Sequence, residues 1–98
     1  MMPGLGVVRV GIDPSSGHDG FNPRPAVVGS LTTFCEGLPV VRVGDEWALH
    51  TDILTVHDGR GIAGSPTVFV EGLPLMRVSD PISCGSVALS GSLTVFSG

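Results

Sequence analysis

The residues of this chain best suited to chemistry are three histidines and one cysteine, and their spacing follows a pattern. His18 comes nine residues after Arg9, His50 eight after Arg42, and Cys84 seven after Arg77. The remaining histidine, His57, follows His50 by seven residues in the same connecting segment. Three imidazoles and a thiolate make a tetrahedral donor set for Zn²⁺, which accepts both ligand types without a strong geometric preference. The linear spacing matches no zinc-finger pattern, and any one of these histidines also reads as a loop residue bonded to backbone or water. What joins them is their common position relative to the arginines. A closed four-ligand site would be structural and would contribute folding energy rather than reactivity.

An open site is the competing chemistry. His18, His50 and His57 would hold a metal-bound water, with Asp52 or Asp58 as the base of a small zinc hydrolase. Cys84 argues against it, because a fourth protein ligand fills the position that water needs. The many serines lack a GxSxG turn or any comparable nucleophile setting.

The elements that must position these donors repeat. "GSLTTFCEGLPVVRVGD" (29–45) matches "GSPTVFVEGLPLMRVSD" (64–80), thirty-five residues later, and a third start, "GSLTVFSG", occupies 91–98. Its second half stands at the other end of the sequence, where "GLGVVRVG" (4–11) aligns with 37–44 and 72–79. Leu5, Leu38 and Leu73 are then equivalent, as are Arg9, Arg42 and Arg77, and Phe34, Phe69 and Phe96. Repeats at this period are the mark of a recurring supersecondary unit.

Each copy reads as a β-hairpin, with alternating "TVFVE" and "VVRVG" strands rich in β-branched residues. A Glu-Gly turn joins them, its glycine free to take positive φ. The sequence therefore predicts an all-β fold of three hairpins about a pseudo-threefold axis. The third hairpin, from 91–98 and 4–11, would close non-covalently with both termini adjacent and with Phe96 and Val8 on paired strands. Only "DEWALH" (45–50) has any helical character, and it is short. On this reading residues 1–98 form a single domain with no effector extension.

Other residues have simpler readings. Cys35 fills the position of Val70 in the next copy and reads as a small core hydrophobe, and nothing marks Cys35 and Cys84 as a disulfide pair. Asp45 and Asp80 precede turns, where Asp caps backbone. Trp47 reads as core or interface filling. The three arginines read as the solvent face of each hairpin, with a ring of partner-paired guanidiniums as the alternative.

Composition narrows the function classes. The net charge of −4, with five Arg, no Lys and nine acids, leaves no basic cluster for nucleic acid. Only 14% of residues are charged while 42% are hydrophobic, which points to a surface partly docked on a partner. A chain of this size buries roughly 60–68% of its unfolded surface, so a metal, disulfide or partner is a common supplement. No run reaches the length of a membrane helix. The first residues lack the basic and apolar regions of a secretory signal, so export would depend on another machine.

The chain resembles the PAAR-repeat proteins, the spike-tip proteins of contractile phage tails and type VI secretion systems. The Pro-Ala-Ala-Arg tetrad stands here as "PVVR" (39–42), "PLMR" (74–77) and "GVVR" (6–9). "SSGHDGFNPRPAVVGS" (15–30), "RVGDEWALH" (42–50) and "SDPISCGS" (79–86) resemble the family's segments around its first two histidines and its cysteine. The resemblance implies a short three-sided cone with a structural Zn²⁺, iron being the lesser alternative, held by His18, His50, His57 and Cys84. It also implies a non-enzymatic tip, one per trimer, on a trimeric β-helical spike protein, with the target membrane touched only transiently. The residues expected at that junction are Leu5, Val7, Leu38, Val40, Leu73 and Leu75. A receptor-binding tip is the remaining alternative.

Overall fold

The repeated Glu-Gly dipeptides set the local structure. In a computed structural model that describes residues 4–16, 23–51, 56–83 and 85–98, with backbone alone for 49–51 and 56–58, each dipeptide forms a two-residue hairpin loop. Glu36 and Gly37 have φ of 54° and 83°, and Glu71 and Gly72 repeat those values. Two successive positive φ angles define the turn whose twist matches antiparallel strands. The glutamate carries a left-handed strain that glycine would avoid, and its side chain accounts for its presence below.

The described strands are β1 (Leu5–Gly6), β2 (Phe34–Cys35), β3 (Leu38–Pro39), β4 (Glu46–Thr51), β5 (Val56–Arg60), β6 (Phe69–Val70), β7 (Leu73–Pro74) and β8 (Phe96–Ser97). Among the described residues there is no helix, and the all-β expectation holds. β2 pairs with β3 and β6 with β7, so Phe34 faces Pro39 and Phe69 faces Pro74. β1 pairs with β8 in the same way, with Phe96 opposite Gly6. The first and last segments thus make the third hairpin. Its register differs from the expected one by placing Gly6, not Val8, opposite Phe96.

Val8 has another use. The "VVRV" segments leave their own hairpins and bond to the next copy, which is why the strands are so short. Val41 N–H donates to Val8 C=O at 3.1 Å, Met76 to Val41 at 2.9 Å and Val8 to Met76 at 3.2 Å, closing a cycle of three. A second cycle runs Val10 to Pro39, Val43 to Pro74 and Val78 to Gly6, each at 2.9 Å. One chain thereby satisfies its edges around a pseudo-threefold axis, leaving no open strand along these segments.

The core follows the same symmetry. Val8, Val41 and Met76 are fully buried and pack with Ala26, Trp47, Ile82 and Ala88. A second cluster joins Val7, Val40 and Leu75 to Cys35 and Val70. Copy two places the larger Met76 where the others have valine, and Gly61 stands close against its sulfur. A methyl group there would have to displace Met76, so the missing side chain accommodates the longer one.

One hairpin lies outside the repeat. "EWALHT" is strand β4 rather than a helical turn, and it pairs with β5 through Glu46–Arg60, Trp47–Gly59, His50–His57 and Thr51–Val56, with an irregularity between Trp47 and His50. Trp47 is buried, as core filling requires.

Candidate functional site

The donor residues sit in the segments that follow each copy. His50 on β4 and His57 on β5 are cross-strand partners, so the register brings two of the four residues expected as metal donors to the same rung of one hairpin. His18 and Cys84 lie outside the described residues, as does Asp52, and Asp58 is described by its backbone alone. Their flanks are nonetheless tied together. Ser16 N–H donates to Val87 C=O at 2.8 Å, and Val87 N–H donates to Ser16 Oγ at 3.1 Å. Ser83, next to Cys84, donates its N–H to Arg60 C=O at 2.8 Å, and its hydroxyl accepts from Arg60 N–H at 3.0 Å. A tight turn follows, with Gly85 N–H on Ile82 C=O and Ile82 N–H on Ser86 C=O. Hydrogen bonds therefore connect the neighbourhood of His18 to that of Cys84, and that of Cys84 to the strand bearing His57. Three histidines and a cysteine are the donor types of a tetrahedral zinc site, and the backbone register of His50 and His57 is compatible with a shared ion.

The three arginines are not the solvent face of the hairpins. Their side chains are only 14–15% exposed, and each is clamped on an aspartate. Arg42 N–H and Nε donate to Asp45 Oδ2 at 2.8 and 2.9 Å, and Nη2 donates to Oδ1 at 3.0 Å. Arg77 and Asp80 repeat the arrangement at 2.7, 3.0 and 3.0 Å. Asp45 and Asp80 thus cap backbone as expected and hold a guanidinium as well. The third copy uses Asp13, which accepts from Arg9 N–H at 2.9 Å, Nε at 2.7 Å and Nη2 at 3.0 Å. Sequence reasoning missed Asp13 because Ile12 is an extra residue that shifts it by one place.

A second set of charges links one copy to the next. Arg9 Nη1 donates to Glu36 at 2.9 Å and Arg42 Nη1 to Glu71 at 3.0 Å. Ser30 Oγ also donates to Glu71, at 2.5 Å, and Thr94 Oγ1 to Glu36, at 3.1 Å. These contacts explain a glutamate at positive φ: the conformation aims its carboxylate at the neighbouring copy.

Both networks set an acid response. Burial pushes the Asp13 carboxyl up, but hydrogen bonds from Arg9 and Ser90 outweigh it and leave the group below its ordinary value. The Ser92 hydroxyl, with Thr94 and Arg9, holds Glu36 below its ordinary value too. A carboxylate whose folded pKa is depressed contributes stability above its unfolded pKa and loses it as pH falls through the folded value. For protein kept free of metal, so that ligand protonation does not enter, the melting temperature is therefore expected to be flat above about pH 5 and to fall steadily below about pH 4. Asp13→Asn should flatten that fall, as measured by thermal melts across the range.

Cys35 is a free, buried thiol pushed up in pKa by its burial, and it packs as the expected small hydrophobe. Of the residues expected at a partner junction, Leu5 and Leu73 are exposed and Leu38 is half-buried, whereas Val7, Val40 and Leu75 are buried in the second core cluster. A ring that sequence reasoning did not assign to a partner stands out more. The equivalent Phe34, Phe69 and Phe96 are 56%, 56% and 53% exposed, beside the exposed Leu31, Pro66 and Leu93. Three equivalent aromatic side chains left in water are a mark of an interaction face. Their signal was legible as the recurring "SLTTF" (30–34), "SPTVF" (65–69) and "SLTVF" (92–96), which keep an apolar residue and a phenylalanine at the same places in all three copies.

A family model described as PAAR motif matches residues 22–90. No curated protein matches the chain.

Proposed function

The chain belongs to the PAAR motif family, spike-tip proteins of contractile injection systems, and from that premise we propose that it caps a trimeric β-helical spike and is stapled by a structural zinc. The observation that carries the reading is the threefold ring of exposed Phe34, Phe69 and Phe96 presented by a single chain. A trimeric β-helix ends in three equivalent edges with unpaired backbone and a threefold apolar interior. One molecule with three quasi-equivalent hairpins can cover all three at once, matching the partner's symmetry without assembling. Leu5, Leu38 and Leu73 border the same hairpins, and the buried Val7, Val40 and Leu75 support them from the core. The closed hydrogen-bond cycles around the axis suit a part loaded in compression as a contracting sheath drives it into a membrane.

The zinc would be held by His18, His50, His57 and Cys84. Bound there it would supply four strong bonds between segments that hairpin pairing alone holds weakly, and with no open coordination position it would supply no hydrolysis. The function is mechanical. Mixing the tip with its co-expressed spike trimer tests the proposal: light scattering should report one tip per trimer, and Phe34→Ser/Phe69→Ser/Phe96→Ser should abolish the complex while leaving the fold intact. A monomer that ignores the trimer would refute it.

A further inference from the structure

A buried hydroxyl two residues after Cys84 has no hydrogen-bond partner. Ser86 is 2% exposed and its Oγ is unpartnered, whereas the other buried serines among the described residues all use theirs. Ser30, Ser65 and Ser92 each accept from two backbone N–H groups, Ser15 accepts from Arg24 N–H, and the Ser97 hydroxyl donates to a main-chain oxygen. The local backbone sets the direction of this side chain. Ile82 N–H donates to Ser86 C=O at 2.9 Å and Gly85 N–H to Ile82 C=O at 3.0 Å, so Ile82 and Ser86 are tied across position 84. Ser86 and Ala88 are buried while Val87 between them is exposed, so alternation turns Ser86 inward. On that side Ala88 joins the cluster of Ala26, Trp47 and Ile82, and Trp47 Nε1 is a second buried donor without a partner. An unpaired buried donor costs stability, so this part of the core calls for an acceptor.

We infer that the Ser86 hydroxyl donates to the thiolate of Cys84 when that cysteine holds the proposed metal, which makes Ser86 a positioning residue of the metal centre. The chemistry of the donor set selects this pairing. A metal-bound imidazole offers only its remaining N–H, whereas a metal-bound thiolate is a charged acceptor. A hydroxyl rotates to suit such an acceptor, and hydrogen bonds to a charged group are the stronger kind. The repeat supports it too. Counted back five residues from each Gly-Ser pair, the copies place Arg24, Gly59 and Ser86, so the hydroxyl occurs in the copy that carries the cysteine. The same segment is anchored on the histidine-bearing hairpin, since Ser83 bonds Arg60 through its N–H and its hydroxyl. A hydrogen bond that fixes the sulfur against Ser86 therefore fixes it relative to the strand of His57.

This role rests on the zinc site proposed above, and the test separates the two. The full chain and its Ser86→Ala variant, prepared metal-free under reducing conditions, are titrated with Co²⁺ and melted with and without it. The wild type should show the intense near-ultraviolet charge-transfer band of a cobalt thiolate. Ser86→Ala should bind Co²⁺ about tenfold more weakly, with that band moved to longer wavelength because the sulfur has lost a hydrogen bond. Without metal the sign reverses. Alanine removes an unpaired buried hydroxyl, so the metal-free variant should melt at or above the wild-type temperature. A variant that melts lower by the same amount with and without Co²⁺ would show a packing role alone and overturn the inference. Unchanged affinity and an unchanged band would overturn it as well. A wild-type chain that gives no thiolate band overturns the zinc centre itself, and with it the role assigned to Ser86.

Discussion

Replacing Asp13 by alanine should lower stability by about 3 kcal/mol, the effect expected when one partner of a buried ion pair is removed. For a domain of this length that corresponds to roughly 4–8 °C of melting temperature per kcal/mol, so the loss is large against a total stability of about 5–15 kcal/mol. The reason is the number of groups left unsatisfied. Asp13 is buried and receives three bonds from Arg9 and a fourth from the Ser90 hydroxyl at 2.9 Å. The backbone N–H, Nε and Nη2 of Arg9 would lose their acceptor at once, leaving its guanidinium held by Glu36 alone. Asp45→Ala and Asp80→Ala should fall by similar amounts, since their geometry repeats. Asp13→Asn should cost less, because an amide oxygen still accepts from the backbone. Glu36→Gln, at an exposed carboxylate, should cost least of all. Urea denaturation gives the comparison, and an Asp13→Ala variant as stable as the wild type would show that the clamps are incidental.

Removing the proposed zinc should have the largest effect of any single treatment. The β4–β5 pair is a two-stranded ribbon, and such ribbons are marginal in water without further support. His50 and His57 share a rung of it. A structural zinc contributes on the order of 10 kcal/mol in small metal-dependent domains, so strong chelation should lower the melting temperature by about 20 °C or more. His50→Ala and Cys84→Ala should each release the ion and give a similar drop. Elemental analysis of purified wild type should find one metal per chain. Wild-type protein without bound metal, or a His50→Ala variant that keeps it, would remove the zinc from the account.

The repeat made much of this fold legible before any coordinates. Aligning Phe34, Phe69 and Phe96 was enough to expect three hairpins, and the third hairpin between the first and last segments follows from the same alignment. Repetition reports topology well because equivalent sequences adopt equivalent structures. It reports register poorly: Phe96 faces Gly6 because the "VVRV" segments peel away to bond with a neighbouring copy, a long-range pairing that no single copy encodes. The arginines were misread for a related reason. Alternation placed them on a polar face, but alternation cannot distinguish water from a buried aspartate three or four residues ahead. Asp13 was hidden by the extra Ile12, and the inter-copy role of Glu36 by its strong turn signal. The proposed metal donors were named from the sequence alone, and the fold adds the shared rung of His50 and His57 and the hydrogen bonds that join the segments flanking His18 and Cys84.

The central claim is that one pseudo-threefold chain caps one threefold partner. Its most direct measurement is the mass of the complex formed with the co-expressed β-helical spike, by light scattering or native mass spectrometry. The account predicts one tip bound to three spike chains, lost when Phe34, Phe69 and Phe96 are all replaced by serine. Three tips per trimer, or a complex unaffected by that replacement, would contradict it.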